Sequence, residues 1–324
     1  MARVTLDFDG SVQSTTRHAE GSAVGFNRKK KGARSYYPLF CTVAQTGQAL
    51  DHLHRGGNVH DSNGACEFVG RCVAAVRAAL PGAVIETRMD SAFFSDEMVS
   101  TLEALNAQYT ISVPFERFAQ LKQKIGKRRY WWPTLGTGGR STHFEEYWKP
   151  ESWERLARFL FVRQKAKRQT KGPLQLDLFE PVEPVEEGFE YKVVITNKSG
   201  RAGHTVRYHE GRGSQEKIFA ELKTQAQMDY IPARRRVANE VYLACAVLAH
   251  NLGRELQMQV TPPQRSTTPG RMAKWVLDQL STIRKTIIQR AGRLTSPQGK
   301  LTLTLGPNQT AKASILQFME AGTG

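Results

Sequence analysis

The chain has 324 residues, 40% hydrophobic and 23% charged, enough to bury a sizeable core and to exclude wholesale disorder. No run approaches the 18 or so uninterrupted apolar residues of a membrane span, and the start MARVTLDFDG carries no apolar leader, so a cytoplasmic protein is expected. Four cysteines (Cys41, Cys66, Cys72, Cys245) without a CxxC pair argue against a zinc ribbon or a disulfide scaffold. The net charge of +16 is uneven. Residues 1–115 hold 11 basic and 11 acidic side chains, residues 116–195 hold 16 and 11, and residues 196–324 hold 19 and 8. A basic excess in the last two thirds points to a polyanionic partner, nucleic acid above all.

In chain order, Val4 to Phe8 alternates as a strand and stops at Asp9-Gly10-Ser11. After the basic knot Arg28-Lys29-Lys30-Lys31, the runs Tyr37 to Ala44 and Gln48 to His54, joined by Gln45-Thr46-Gly47, predict a hairpin. Alternation puts His52 and His54 on one face, exposed or packed rather than on a metal. Asp61 to Gly64 offers a helix cap. Phe68, Val69, Cys72, Val73, Val76 and Leu80 then follow at helical spacing up to Pro81-Gly82. Ala83 to Met89 predicts a strand that stops at Asp90, Asp96 to Leu105 a helix, and Tyr109 to Val113 a further strand. This order suits a mixed α/β sheet with a hairpin at one side.

Residues 116–195 change character. Trp131, Trp132, Trp148 and Trp153 crowd there, Arg158 to Val162 and Tyr191 to Thr196 predict strands, and the Pro/Glu-rich Gly172 to Glu190 predicts an exposed loop. The block reads as a β-rich insertion. Helices return over Glu216 to Ala226 and Arg236 to Leu256, and Thr286 to Leu294 with Lys300 to Leu305 predicts a closing hairpin. The division expected is therefore 1–115 and 196–260 as two halves of one core, 116–195 as the insertion, and 261–324 as a basic C-terminal region.

Two strands end in aspartates, Asp9 and Asp90. If those strands are neighbours, both carboxylates emerge at one end of the sheet, where hard oxygen ligands suit Mg²⁺ or Mn²⁺. Within RGSQEKIFAELK, Arg212, Glu216 and Lys223 stand as R-x3-E-x6-K. At about 100° per residue they share one helix face, with Gly211 and Gly213 placing Arg212 at the first turn. An acid framed by two cations suits a metal ion with bound phosphate.

These boxes resemble those of the DDE transposases of bacterial insertion sequences, which have a ribonuclease H-like core. Leu6-Asp7-Phe8-Asp9 matches the LDxD box and Arg88-Met89-Asp90-Ser91-Ala92-Phe93 the RxDSxF box. Tyr208 through Lys223 matches the Y-R-E-K signature, and Ala238-Asn239-Glu240 to Asn251-Leu252 the helix that follows. The resemblance runs from about Leu6 to Leu305. It implies a ribonuclease H-like mixed sheet flanked by helices and interrupted by the β-rich insertion. It further implies that Asp9, Asp90 and Glu216 hold two divalent ions, Mg²⁺ or Mn²⁺, for in-line cleavage and strand transfer of DNA. Asp7 rivals Asp9 for the first position, but Asp9 before Gly-Ser fits the box better, which leaves Asp7 as a supporting partner. Tyr208, Arg212 and Lys223 are implied as DNA contacts. A tryptophan of the insertion is implied as a base-stacking platform, with Trp153 in its Ser-Trp-Glu-Arg setting the most family-like of the four. The partners implied are double-stranded DNA, both transposon ends and target, and a second subunit in a homodimer on DNA; the setting is a bacterial, nucleoid-associated cytoplasm.

Two departures stand out. Three residues separate Tyr208 from Arg212 where the signature has two, and Asp9 lies almost at the N-terminus, which leaves no room for an end-reading helical region before it. A ribonuclease H-like nuclease or resolvase and an inactive DNA-binding remnant are the alternatives.

Overall fold

A computed structural model describes residues 3–16, 18–25, 27, 30–60, 62–134, 139–165, 188–264 and 273–321. The chain opens with β1 (Arg3–Gly10), followed by the short strands β2 (Gln13–Ser14), β3 (Ala23–Val24) and β4 (Arg34–Tyr36) and by the hairpin strands β5 (Leu39–Val43) and β6 (Gln48–Leu53). Then come α1 (Ala65–Ala79), β7 (Val84–Met89), α2 (Asp96–Ala104), β8 (Gln108–Val113), α3 (Ala119–Lys127), β9 (Trp132–Pro133), β10 (Ser141–Trp148), β11 (Ala157–Lys165) and β12 (Phe189–Thr196). The last part holds α4 (Ala202–Glu210), α5 (Ser214–Gln225), α6 (Arg236–Val260), α7 (Leu280–Ile283), β13 (Gly292–Thr295), β14 (Thr302–Leu305) and α8 (Gln309–Ala321).

Local chemistry accounts for most of these limits. Ser95 caps α2 by accepting a hydrogen bond from the Met98 amide at 3.1 Å, and Asp96 and Glu97 in the first turn favour the positive end of the helix. α1 instead starts from Gly64 in the left-handed region, φ 69°, without a side-chain cap. Asp61 of the expected cap, Arg28 and Lys29 of the basic knot, and 172–187 of the expected loop lie outside the described residues. Within the expected closing hairpin, β13 and β14 pair antiparallel, but Thr286 to Ile288 is helical, not extended. There the apolar side chains Ile287 and Ile288 are adjacent rather than alternating, so no two-residue period favours a strand. α8 was not anticipated.

The chain divides into two compact units, residues 1–10, 39–41 and 59–214 in one and 11–38, 42–58 and 215–324 in the other. It therefore crosses between units several times rather than at the block limits expected from sequence. In the first unit the sheet order is β5-β1-β7-β8-β12-β11-β10-β9. β1, β7 and β8 are parallel, as the helical crossovers α1 and α2 require, and β8, β12, β11, β10 and β9 pair antiparallel. The β-rich block thus continues the sheet. The architecture is a mixed α/β sheet flanked by helices, as expected.

Alternation along β1 and β7 gives the sheet two unlike faces. Leu6, Phe8, Ile85 and Met89 are buried on one, where Phe8 meets Phe68 of α1 edge to face at 5.9 Å. Thr5, Asp7, Glu86 and Arg88 lie on the other and are also buried, so each needs a polar partner. Glu86 accepts hydrogen bonds from Arg3 (2.7 Å), Thr5 (3.3 Å) and Lys198, and Lys198 also reaches Gln108 at 2.9 Å. Tryptophan crowding in the β10–β12 block serves packing. Trp131, Trp148 and Trp153 are buried against Phe144, Phe159 and Phe94 at ring separations of 4.7, 5.0 and 5.0 Å.

In the second unit α6 is tied down by its polar side chains. Asn251 brackets the β6 backbone, accepting from the Ala49 amide (2.9 Å) and donating to its carbonyl (2.7 Å). Asn239 does the same at Ala233, at 3.0 and 2.9 Å. His54 is buried beside Tyr36 with ring centroids 4.3 Å apart, and burial pushes its imidazole down to about 4. Glu221 of α5 receives His250 (3.1 Å), Arg254 (2.6 Å) and the Leu280 amide (2.6 Å). Burial alone would raise this carboxyl, but the His250 and Leu280 hydrogen bonds and the Arg254 charge outweigh it and hold it at about 2. Its stabilisation is therefore complete above the ordinary carboxylate value near 4.5 and is lost as pH falls towards 2. Glu221→Gln should cost on the order of 1–3 kcal/mol at pH 7. Urea midpoints of variant and parent should converge as the pH falls through that window. Among the described residues, no helix is long and apolar enough to cross a membrane.

Candidate active site

β1 and β7 pair with Asp7 opposite Arg88 and Phe8 opposite Met89. One residue further along each strand come Asp9, still within β1, and Asp90, just past the end of β7, at the C-terminal ends of neighbouring parallel strands. Asp9 Oδ1 accepts from the Gly10 amide at 2.8 Å, and Oδ2 accepts from Arg212 Nη1 at 2.9 Å. Asp90 caps the 3-10 turn Ser91–Phe93, its Oδ1 accepting from the Ala92 amide at 3.0 Å. Its second oxygen is left uncommitted among the described residues.

Beneath the two acids lies an ion pair that the sequence motifs contain but do not announce. Arg88 grips Asp7 at two points, Nε to Oδ1 at 2.5 Å and Nη2 to Oδ2 at 2.6 Å, and Asp7 is fully buried. Burial pushes the Asp7 carboxyl up against the opposing hydrogen bonds and charge of Arg88. Burial would lower Arg88, but Asp7 outweighs it and raises the guanidinium. The two-point geometry is that of a charged pair. Arg88 Nη1 also donates to the Tyr208 carbonyl at 3.0 Å, at the end of α4. A Cβ on Gly211 would come within 2.1 Å of that same nitrogen, so only glycine lets the Gly211–Gly213 turn close over Arg88. That turn carries Arg212 to Asp9. Asp7 and Arg88 thus seat the turn whose arginine holds the first acid. The signal in the sequence was the matched spacing, Asp7 two residues before Asp9 and Arg88 two before Asp90, but only strand register brings the pairs together.

α4 supplies a second buried polar contact. His209 lies 3.0 Å from Thr110 Oγ1 and 2.9 Å from Ser112 Oγ, and burial, with Arg212 and Arg88 nearby, pushes it down to about 3. It is a neutral imidazole that fixes α4 to β8.

The remaining expected site residues fall elsewhere. Tyr208 packs inward, its ring 5.2 Å from the Arg88 guanidinium and 4.3 Å from Lys198 Nζ. Trp153 is buried in a stack on Phe94; of the four tryptophans in that block, Trp132 is the exposed one, at 55%. Arg212 sits in the 3-10 turn ahead of α5 rather than within the helix, because the flanking glycines end α4 there. Glu216 is exposed in the first turn of α5, in the second unit. Lys223, on the same helix, donates to the Val12 carbonyl at 3.0 Å. Among the described residues, no three His, Cys, Asp or Glu side chains form a group that could hold a metal ion. Asp9 and Asp90 each stand one residue beyond the last partnered pair, Phe8 and Met89, of neighbouring parallel strands.

The fold is a mixed α/β sheet with acids at the ends of two neighbouring parallel strands. The family follows from the sequence match. The chain belongs to the family described as Transposase DDE domain group 1, whose model matches residues 1–321. No curated protein matches it. Among solved structures it is similar to a piggyBac transposase, studied by cryo-EM as a synaptic complex with hairpin DNA. The identity is 11% and the TM-score 0.47, over 78% of this chain and 47% of that one. The chain thus spans about half the length of that relative.

Proposed function

We propose that the protein is a DDE transposase that cleaves DNA and joins the freed 3′ ends to target DNA, moving an insertion sequence. The observation that carries this reading is the placement of Asp9 and Asp90 one residue beyond the partnered Phe8 and Met89 of adjacent strands, with Arg212 on the first acid, in a chain matched over 1–321 by the transposase family. Two divalent ions, Mg²⁺ or Mn²⁺, held by Asp9, Asp90 and Glu216, would supply Lewis-acid activation of water or a 3′-hydroxyl and stabilise the leaving oxygen. Arg212 neutralises Asp9 and offers further guanidinium donors to a phosphate oxygen. Asp90, fixed by the Ala92 amide, presents its second oxygen without rotamer freedom to lose. Lys223 and the exposed aromatics of the β-rich block would extend the DNA path, whereas Tyr208, packed on Arg88 and Lys198, would support the site from behind rather than touch DNA. Exposed Trp132, with Tyr130 at 4.7 Å, is better placed for a base than buried Trp153. Double-stranded DNA is the partner, bound as a homodimer in a bacterial, nucleoid-associated setting.

Glu216→Gln is the decisive substitution, since an exposed glutamate has no packing role to confuse the result. In a nicking assay on duplex DNA with Mg²⁺ or Mn²⁺, it should lose cleavage by two to three orders of magnitude while binding DNA as the parent does. Cleavage at the parental rate would remove Glu216 from the site. Parental protein that binds but never cuts would identify a DNA-binding remnant instead.

A further inference from the structure

The residues just before β13, the end of β14 and the first two turns of α8 enclose a cavity of about 560 Å³, wholly within the second unit. That volume falls inside the range of roughly 300–1,000 Å³ typical of small-molecule sites. One wall is aliphatic, from Leu305, Ala311, Ile315 and Leu316, and the charged residues of the lining are Arg290 and Lys312. No Asp or Glu occurs from 279 to 319, against six Lys and Arg, so the segment that builds the cavity supplies no acid to neutralise the pair. Arg290 donates from Nε to the Thr286 carbonyl at 2.7 Å. That bond fixes the stem of the guanidinium and leaves its terminal nitrogens to another acceptor. Two cations at the edge of one apolar wall repel each other and attract an anion between them.

This combination selects by exclusion. A cation meets like charge. A neutral hydrocarbon leaves both charges unmatched, and a sugar gains nothing from the aliphatic wall. A DNA backbone brings phosphates but no apolar body to cover Leu305, Ile315 and Leu316. We propose that the cavity binds an amphiphilic anion, a free carboxylic acid with an aliphatic chain of medium length. Its carboxylate lies between Arg290 and Lys312, and its chain runs along the aliphatic wall. α8 is already tied to the end of α6 by Gln317 Nε2, which donates to the Val260 carbonyl at 3.0 Å; the ligand adds a tie from α8 to the end of β14. The site shares no residue with the candidate active site and does not depend on whether the protein cuts DNA.

Isothermal titration of the full chain with sodium decanoate, kept below micelle formation, tests the proposal. The parent should take up a single equivalent saturably, and decyltrimethylammonium, with the same tail and the opposite charge, should not compete for it. Lys312→Glu and Arg290→Gln should each weaken decanoate by about tenfold or more, whereas Lys312→Arg should retain it. Lys312 is exposed, so reversing its charge does not threaten folding, and an unchanged urea midpoint checks this. No saturable uptake by the parent, equal binding of the cationic homologue, or an affinity indifferent to Lys312→Glu would each overturn the proposal, the last two by revealing adsorption on exposed aliphatics. Loss of duplex binding in Lys312→Glu, with no decanoate uptake by the parent, would assign the two cations to DNA instead. None of these readouts involves cleavage, so the ligand site and the proposed chemistry stand or fall separately.

Discussion

Arg88→Ala is expected to destabilise the protein by about 3–5 kcal/mol, more than any other single substitution considered. The cost arises less from the lost attraction than from what stays behind. Asp7, fully buried, loses both strong hydrogen bonds from Arg88 at once and must stay charged with much weaker compensation or take up a proton. The Gly211–Gly213 turn also loses its seat, because Arg88 holds the Tyr208 carbonyl at the end of α4. Replacing both partners, as in Asp7→Asn with Arg88→Met, should recover much of the loss, since no buried charge is then orphaned. Urea denaturation of the two variants against the parent measures both effects. A drop below about 1 kcal/mol for Arg88→Ala would mean that water reaches Asp7.

Asp90→Asn should behave in the opposite way, with cleavage falling by at least about 10³-fold, or about 4 kcal/mol of barrier, and stability scarcely moving. Asparagine keeps the oxygen that accepts from the Ala92 amide and caps a helical turn as well as aspartate does. What it loses is the charge on the free oxygen that the proposed site needs for a cation. Initial nicking rates and urea midpoints on the same preparation separate the two. Cleavage within tenfold of the parent would exclude Asp90 from the chemistry.

Much of this site was visible in the linear chain. Val4 to Phe8 and Ala83 to Met89 carry strand signals strong enough to place both aspartates at strand ends, and the helices at 65–79 and 236–260 follow from apolar periodicity. Other features depend on distances that no local pattern encodes. The role of Arg88 required knowing that β1 and β7 are in register at Asp7 and Arg88. The helical-wheel argument put Arg212 on one face with Glu216 and Lys223, but the glycines around it break α4 from α5, and Arg212 turns to Asp9 instead. The tryptophans show the same limit. Composition marked the block, yet only packing distinguishes buried Trp153 from exposed Trp132.

By itself the sequence determined the strand-ending acids, the order of strands and helices, and the basic character of the last two thirds, because periodicity, breakers and charge are local or additive properties. Tertiary structure alone decided which acid is roofed by which arginine, that Asp7 is a buried anchor, that the β-rich block extends the sheet, and that β14 and α8 enclose a cavity. Each of those depends on strand register, burial or the direction of a side chain across tens of residues, and a chain acquires them only when it folds.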